Sequence, residues 1–311
     1  MTTAPLKQSE SSQLLSLWNR SVPYDQLQER VLREKIWGDT GFREDLSLVV
    51  HLGREPIAFA MGVVRETVVE RRGYIKLLAV APEHRRHGIA RELVQEMHDK
   101  LNQHEIDALR LGESAPNYLF PGIDTRYTEA ANLAESMGYQ RVGQSFNLLA
   151  DLVGKDLSTG LFESDLASKG IAIRRAGQED AAALDALVAE HWLAWRDEIA
   201  TAMKNDPISI HLAIQEEKVV GFSAYDSNNL GTGWFGPMGT HPQVQGQGIG
   251  RVLMLRCLRD IQAQGHHQAT IAWVSPTRLY AEHANAKPDR TFARYEKRFF
   301  QLGDKLLLAE E

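Results

Sequence analysis

The stretch Thr240-His-Pro-Gln-Val-Gln-Gly-Gln-Gly-Ile-Gly250 decides how the chain is read. An apolar, strand-like run precedes it, Trp234-Phe-Gly-Pro-Met238, and a helix-like run follows, Arg251-Val-Leu-Met-Leu-Arg-Cys-Leu-Arg-Asp-Ile261. A turn of this kind between strand and helix can cradle a phosphate. Gly246, Gly248 and Gly250 let the backbone approach an anion closely, and the first amides of the helix point at it. A glycine-rich turn does not by itself specify a ligand, so its surroundings must.

The same phrase stands earlier in the chain. Ala81-Pro-Glu-His-Arg-Arg-His-Gly-Ile-Ala90 follows the apolar strand 74–80 and opens a helix with Leu93, Val94, Met97 and Leu101 on one face. Pro82 answers Pro242, Gly88 answers Gly248 and Ile89 answers Ile249 at one offset, 160 residues (242 − 82), and Ala90 answers Gly250. The flanking pattern repeats too. Helices at 9–21 and 25–38, a hairpin of strands 46–52 and 56–64, and the strand-turn-helix are followed by a strand at 106–111, a helix at 128–137 and a strand at 146–152. In the second half come a strand at 171–174, a helix at 180–195, a hairpin of 209–214 and 219–225, the second strand-turn-helix, a strand at 269–274, a short helix at 279–284 and a closing strand at 291–300. A duplicated mixed α/β unit is expected. Residues 1–152 form the first domain, 171–311 the second, and the polar 153–170, with Gly154, Ser158, Gly160 and Ser164, the linker.

Bulk composition narrows the class. The 311 residues carry a net charge of −6, with 43% hydrophobic and 24% charged residues, which is ordinary for a globular protein and gives no basic footprint for nucleic acid. The single cysteine, Cys257, rules out an intrachain disulfide and lies in an apolar helix, where packing is its role. No apolar run approaches the ~18 residues that would span a bilayer, and the N-terminus lacks a signal-peptide layout, so a cytoplasmic protein without membrane partners is expected. His84 and His87 flank a phosphate-type loop, and no metal site is expected there.

Both turns fit Gln/Arg-x-x-Gly-x-Gly/Ala: Arg85-Arg-His-Gly88-Ile-Ala90 and Gln245-Gly-Gln-Gly248-Ile-Gly250. This resembles the acyl-CoA motif of the GNAT superfamily, the Gcn5-related N-acetyltransferases, and two copies in register extend the likeness over nearly the whole chain. The resemblance implies two tandem GNAT-like α/β domains, each a mixed, mostly antiparallel sheet flanked by helices. It implies acetyl-CoA as co-substrate, no metal, and transfer of the acetyl group to a primary amine of a small molecule in a ternary complex. A monomer with an internal pseudo-dimer, or a homodimer, would follow. The alternative is a CoA-binding sensor or scaffold with one or both domains degenerate.

On this resemblance the pyrophosphate meets the amides of Arg86, His87, Gly88, Ile89 and Ala90, and of Gly246, Gln247, Gly248, Ile249 and Gly250, with Arg85 and Gln245 adding side-chain contacts. The thioester carbonyl meets backbone at Leu78, Ala79 and Val80, or at Met238, Gly239 and Thr240. The family's thiolate-protonating tyrosine would be Tyr280, with Tyr295 a rival; in the first half the corresponding position is Ala134. Candidate bases are Glu113, in a loop flanked by Tyr118 and Tyr127, and Asp226 after the second hairpin, with a water relay the alternative. His191, Trp192 and Trp195 are placed near an acceptor pocket, and Asn117-Tyr-Leu-Phe-Pro-Gly122 resembles a segment of GNAT-like domains found with cell-wall hexosaminidases, which points to an amino sugar. The full Gly-x-Gly-x-Gly turn and Tyr280 favour the second domain as the catalytic copy.

Overall fold

The computed structural model describes residues 1–67, 69–274 and 277–299. In chain order the first half contains β1 (Thr2–Pro5), α1 (Ser11–Ser21), α2 (Glu29–Lys35), β2 (Ser47–Leu52), β3 (Glu55–Glu66), β4 (Arg71–Val80), α3 (Ile89–Asn102), β5 (Ala108–Leu111), β6 (Ile123–Asp124), α4 (Thr128–Ser136) and β7 (Gln140–Asp151). The second contains α5 (Gly160–Ser168), β8 (Ile171–Arg175), α6 (Ala181–His191), α7 (Arg196–Ala202), β9 (Ile210–Gln215), β10 (Lys218–Tyr225), β11 (Trp234–Thr240), α8 (Ile249–Ala263), β12 (Gln268–Ile271), α9 (Arg278–Ala284) and β13 (Lys287–Arg298).

The described residues form two compact units, Met1–Ser145 with those from Thr291 to Phe299, and Phe146–Arg290. In the first, β1 to β4 run antiparallel to their neighbours, β4 and β5 are parallel, and β13 pairs antiparallel with β5 (Glu296 opposite Arg110) and with β6 (Phe292 opposite Asp124). In the second, β8 to β11 repeat the antiparallel order, β11 and β12 are parallel, and β7 pairs antiparallel with β12 (Ala150 opposite Ala269).

The strand at 291–298 therefore completes the first unit, not the second, and 146–151 completes the second. The physical reason is packing. Phe292, Ala293 and Tyr295 are buried, the last two in the core under α3, whereas Leu148, Ala150 and Leu152 are buried in the core under α8. The expected linker is likewise part of the second unit. It folds as α5, whose Leu166 is 1% exposed and packs with Ile171, Ile249 and Leu253.

Each sheet buries both faces. In the first unit Leu93, Val94, Met97 and Leu101 of α3 pack on one face, and Leu14, Leu17, Trp18 and Leu32 of α1 and α2 on the other. Fully burying each such side chain contributes about 1.5–3 kcal/mol before entropy is counted. In the second unit α8 takes the role of α3, and α6 and α7 that of α1 and α2.

Candidate functional site

The two turns are near-copies in three dimensions. Each begins with a short 3-10 turn, Pro82–His84 or Pro242–Val244, and each helix starts after a glycine in the left-handed region, Gly88 at φ 86° or Gly248 at φ 91°. Both glycines are exposed, while the next residues, Ile89 and Ile249, are buried and anchor the helix start. A second left-handed residue precedes each: Gly246 at φ 79° in one copy and Arg86 at φ 64° in the other, a conformation that a side chain adopts at a cost.

Arg85 and Gln245 have a role that the sequence did not reveal. Arg85 donates to the Val80 carbonyl at 3.2 Å and to the Ser21 carbonyl at 2.6 Å, whereas Gln245 donates to the Thr240 carbonyl at 3.1 Å. Each hooks the turn back onto the end of its strand.

In the first unit the parallel ladder of β4 and β5 ends at Ile75 opposite Leu111, while β4 continues to Val80. A cavity of about 570 Å³ occupies the gap, lined by Leu78, Ala79 and Val80, by His84–Arg86 and Gly88–Arg91 of the turn, and by α4. Farther in, its wall includes Trp18, Lys76, Phe120, Asp124 and Tyr127. Trp18 and Phe120 are stacked, 6.4 Å between centroids and 18° between planes. Asp124 accepts from the backbone and guanidinium of Arg126, and the Tyr127 hydroxyl donates to Asp25 at 2.8 Å.

Lys76 is a residue that the sequence reading passed over. Met61 faces Leu77 and Gly62 faces Ile75, so Lys76 is the extra residue of a bulge in β4. Bulges re-aim side chains and recur beside active sites. Its ammonium nitrogen donates to the Lys35 carbonyl at 2.6 Å and to Asp39, which also pairs with Arg65. Burial works to raise the Asp39 carboxyl, but Lys76 and Arg65 together hold it below the ordinary carboxylate range. The signal was present: a lone lysine in the apolar run Tyr74-Ile-Lys-Leu-Leu-Ala-Val80 needs buried partners.

The expected bases are placed elsewhere. Glu113 is 3% exposed and is clamped by Arg110 at 2.5 Å and Arg294 at 2.6 Å. It is not among the residues lining the cavity, and its carboxylate oxygens are occupied by the two guanidiniums. Asp226 accepts from the Gly231 amide at 2.8 Å and from Gln264 at 3.0 Å, which follows the last turn of α8. The 15 residues of α8 put it roughly 22 Å from the Gly248 end of that helix. It organises the loop before β11.

In the second unit the Trp192 ring lies against Gly239, where an added Cβ would meet three of its ring carbons at 2.9 Å. Trp192 stacks on Trp195 at 5.8 Å, and His191 meets His241 edge-on at 4.8 Å. Tyr280 packs edge-on against Phe235, 6.0 Å between centroids, and burial pushes its hydroxyl up to about 12. Tyr295 belongs to the first unit, where its hydroxyl donates to Glu135 at 2.9 Å. Cys257 is fully buried against Ser223, which pushes its thiol up to about 12. No cluster of three or more potential metal ligands occurs among the described residues.

Two mixed α/β units, each with a parallel strand pair ahead of a phosphate-compatible turn, define the class: a tandem acetyltransferase fold. The Acetyltransferase (GNAT) family model matches residues 11–118 and 177–285, and this chain belongs to that family as an N-acetyltransferase built from two copies. Mycothiol acetyltransferase of Saccharopolyspora erythraea is 28% identical over 244 residues, 70% of this chain and 71% of that protein. Among solved structures, the GCN5-related glucosamine N-acetyltransferase region of a fungal multi-domain GH3 beta-N-acetylglucosaminidase superposes over 95% of this chain with a TM-score of 0.80 at 14% identity. This chain spans 38% of the length of that one. A tandem GNAT protein from the clavulanic acid biosynthesis pathway gives a TM-score of 0.66 at 16% identity, over 96% of this chain and 98% of that one. At these identities the structural likeness is one of fold.

Proposed function

We propose that this N-acetyltransferase transfers the acetyl group of acetyl-CoA to the primary amine of a small amino sugar, and that the reaction takes place in the first unit. The observation that carries this reading is the cavity of about 570 Å³ that runs from the Arg86–Ala90 turn along the parted end of β4 to an aromatic and polar wall. Its shape suits a long donor held by its pyrophosphate at one end and its thioester at the other. The amides from Arg86 to Ala90 and the helix N-terminus bind the pyrophosphate. Backbone amides at Leu78–Val80 polarise the thioester carbonyl, the strongest kind of help that a fixed dipole gives as negative charge develops on oxygen. Holding amine and thioester together contributes about 7–11 kcal/mol to lowering the barrier.

The acceptor end supports a sugar. Trp18 and Phe120 offer flat apolar faces, and Asp124 and Tyr127 stand beside them with polar atoms. The loop Asn117–Gly122 contributes Phe120 to that wall, and the glucosamine N-acetyltransferase region named above has the same fold. In the second unit, Trp192 against the backbone at Gly239 favours a second reading for that half: a copy that binds CoA without turnover. Tyr280 keeps its proton at neutral pH and would serve as that copy's thiolate donor if the copy does turn over.

The test is acetyl transfer from acetyl-CoA to a panel of glucosamine, an amino acid, a polyamine and a peptide, using wild type, Gly88→Asp and Gly248→Asp. Transfer to glucosamine that falls at least 100-fold in Gly88→Asp and persists in Gly248→Asp is expected. The reverse pattern moves turnover to the second unit. Calorimetric CoA binding without transfer to any amine replaces the enzyme with a sensor.

A further inference from the structure

At its acceptor end the cavity of the first unit takes its walls from distant parts of the chain. The end of α1 supplies Trp18, Ser21 and Val22, and the segment around β6 supplies Ile123, Asp124 and Tyr127. The residues between α1 and α2 are pinned in place. The Asp25 carbonyl accepts from the Trp18 indole at 2.6 Å, and Asn19 bonds both the amide and the carbonyl of Leu27, at 2.8 and 3.0 Å. From there the chain reaches the other wall. The Tyr127 hydroxyl donates to Asp25 at 2.8 Å and accepts from the Tyr24 amide at 3.0 Å, so its proton and a lone pair both go to this segment. The Tyr24 ring packs against the Tyr127 ring, 5.2 Å between centroids, and the Arg126 guanidinium lies 4.2 Å over the Tyr24 centroid. Asp124 in turn fixes that guanidinium through two hydrogen bonds.

We infer that this strap, Tyr24 and Asp25 tied to Arg126 and Tyr127, sets the size of the acceptor: it admits a single amino-sugar ring and rejects an oligosaccharide or a peptide chain; this rests on the functional reading just given. Tyr24, Asp25 and Arg126 do not line the cavity, whereas Trp18, Asp124 and Tyr127, to which they are bonded, do. The strap is thus an outer layer that joins one wall to the other. A chain acceptor needs a groove open on both sides of the reacting amine, because its neighbouring units must run on into solvent. Here the donor lies along β4, and the walls that would have to part for a chain are tied together. Volume agrees. About 570 Å³ is the space of one drug-sized ligand, and the thioester arm of the donor claims part of it.

A strap that only stabilised the fold would affect every acceptor alike, whereas one that sets acceptor size changes the ratio between acceptors. That ratio of kcat/KM values is the measure of discrimination, and it is unaffected by how much of the enzyme is folded. Tyr127 and Asp124 line the cavity, so the variants belong on Tyr24 and Asp25, which do not. Tyr24 is 48% exposed, so removing its ring leaves the core intact.

The experiment measures kcat/KM for transfer from acetyl-CoA to glucosamine, to its β-1,4-linked trimer and to a tripeptide, in the full-length wild type and in Y24F, Y24A and Y24A/D25A. Wild type is expected to favour glucosamine over the trimer and the tripeptide by roughly 100-fold or more. Y24F, which keeps the ring and the backbone donor, is expected to keep that ratio. Y24A/D25A is expected to cut the glucosamine-to-trimer ratio by about tenfold or more while glucosamine itself stays within about threefold of wild type. Should the double variant fail to fold, Y24A carries the comparison. Wild type that acetylates the trimer or the tripeptide within about threefold of glucosamine overturns the inference and leaves acetyl transfer in the first unit intact, and so does an unchanged ratio in the strap variants. No transfer to glucosamine, or turnover that depends on Gly248 and not on Gly88, overturns the functional reading and the inference with it.

Discussion

Glu113, a candidate base in the sequence, is held in the fold by two arginines. It follows a strand in a loop that faces the acceptor end, yet Arg110 reaches it from β5 and Arg294 from β13, and Arg110 is shared in turn with Glu296. Breaking a buried pair by removing one partner leaves an uncompensated charge, which costs about 3–5 kcal/mol when fully dry. Arg294 is 28% exposed, so the low end applies. Glu113→Gln is therefore expected to lower unfolding free energy in urea by about 3 kcal/mol, with kcat per folded molecule within twofold of wild type. A variant of normal stability with kcat down 100-fold would restore Glu113 to the chemistry. Lys76 lies in an apolar run that reads as core, and only the bulge and its partners from α2, the segment after it and β3 explain how its ammonium is accommodated there. Those partners, Lys35, Asp39 and Arg65, are scattered over 31 residues of chain (65 − 35, counted inclusively), and no local spacing signals them.

At the level of elements, the strand-turn-helix was legible because its signal is local: glycines fix the turn, Ile89 and Ile249 fix the helix start, and the apolar stripes of α3 and α8 follow with helical period. The short strand β1, the helix α7 and the helix α5 were not. Thr2–Pro5 becomes a strand only by pairing with β2, and α5 sits in a stretch whose glycines and serines read as linker. Its stability comes from contacts outside itself, Leu166 in the core and an ion pair from Glu163 to Arg256 of α8 at 2.7 Å. The Arg256 hydrogen bonds, opposed by partial burial and helped by Thr159, hold the Glu163 carboxyl down to about 2 against its ordinary 4.5. The sign follows from linkage. The folded value lies below the unfolded one, so the stabilisation is complete above about pH 4.5 and is lost as pH falls toward 2. With a quarter of the Glu163 side chain exposed, screening reduces the effect to the order of 1–2 kcal/mol. Glu163→Gln should therefore unfold earlier than wild type at pH 7 in a denaturant titration, and the two curves should converge near pH 2. A gap that stays constant over that range would assign the loss to packing instead.

For the molecule as a whole, the repeat predicts two copies, but the chain does not complete them in sequence order: each unit takes a closing strand from the other half of the sequence. Local pattern cannot show this. Both 146–151 and 291–298 read as terminal strands, and only tertiary burial decides which sheet each joins. A chain ending at Arg290 puts the assignment to the test. It retains all of Phe146–Arg290, including the pairing of β7 with β12, so the second unit should fold. The first unit loses its rungs to Ala108, Leu109, Arg110, Ile123 and Asp124, together with the buried Phe292 and Tyr295 and the partners of Glu113 and Arg110. Removing a single large buried aromatic costs about 3–5 kcal/mol, and two of them consume most of the 5–15 kcal/mol that a domain has. Amide exchange should accordingly show protection lost across α3, β4 and β5 and kept across α8 and β12, and limited proteolysis should leave a core beginning near Phe146. Acetyl transfer should vanish with the first unit, because the cavity that serves it is built from those strands. Equal protection of both units in the truncated chain would show that 291–298 only decorates the first sheet, whereas loss of both would show that the second unit cannot fold without the first.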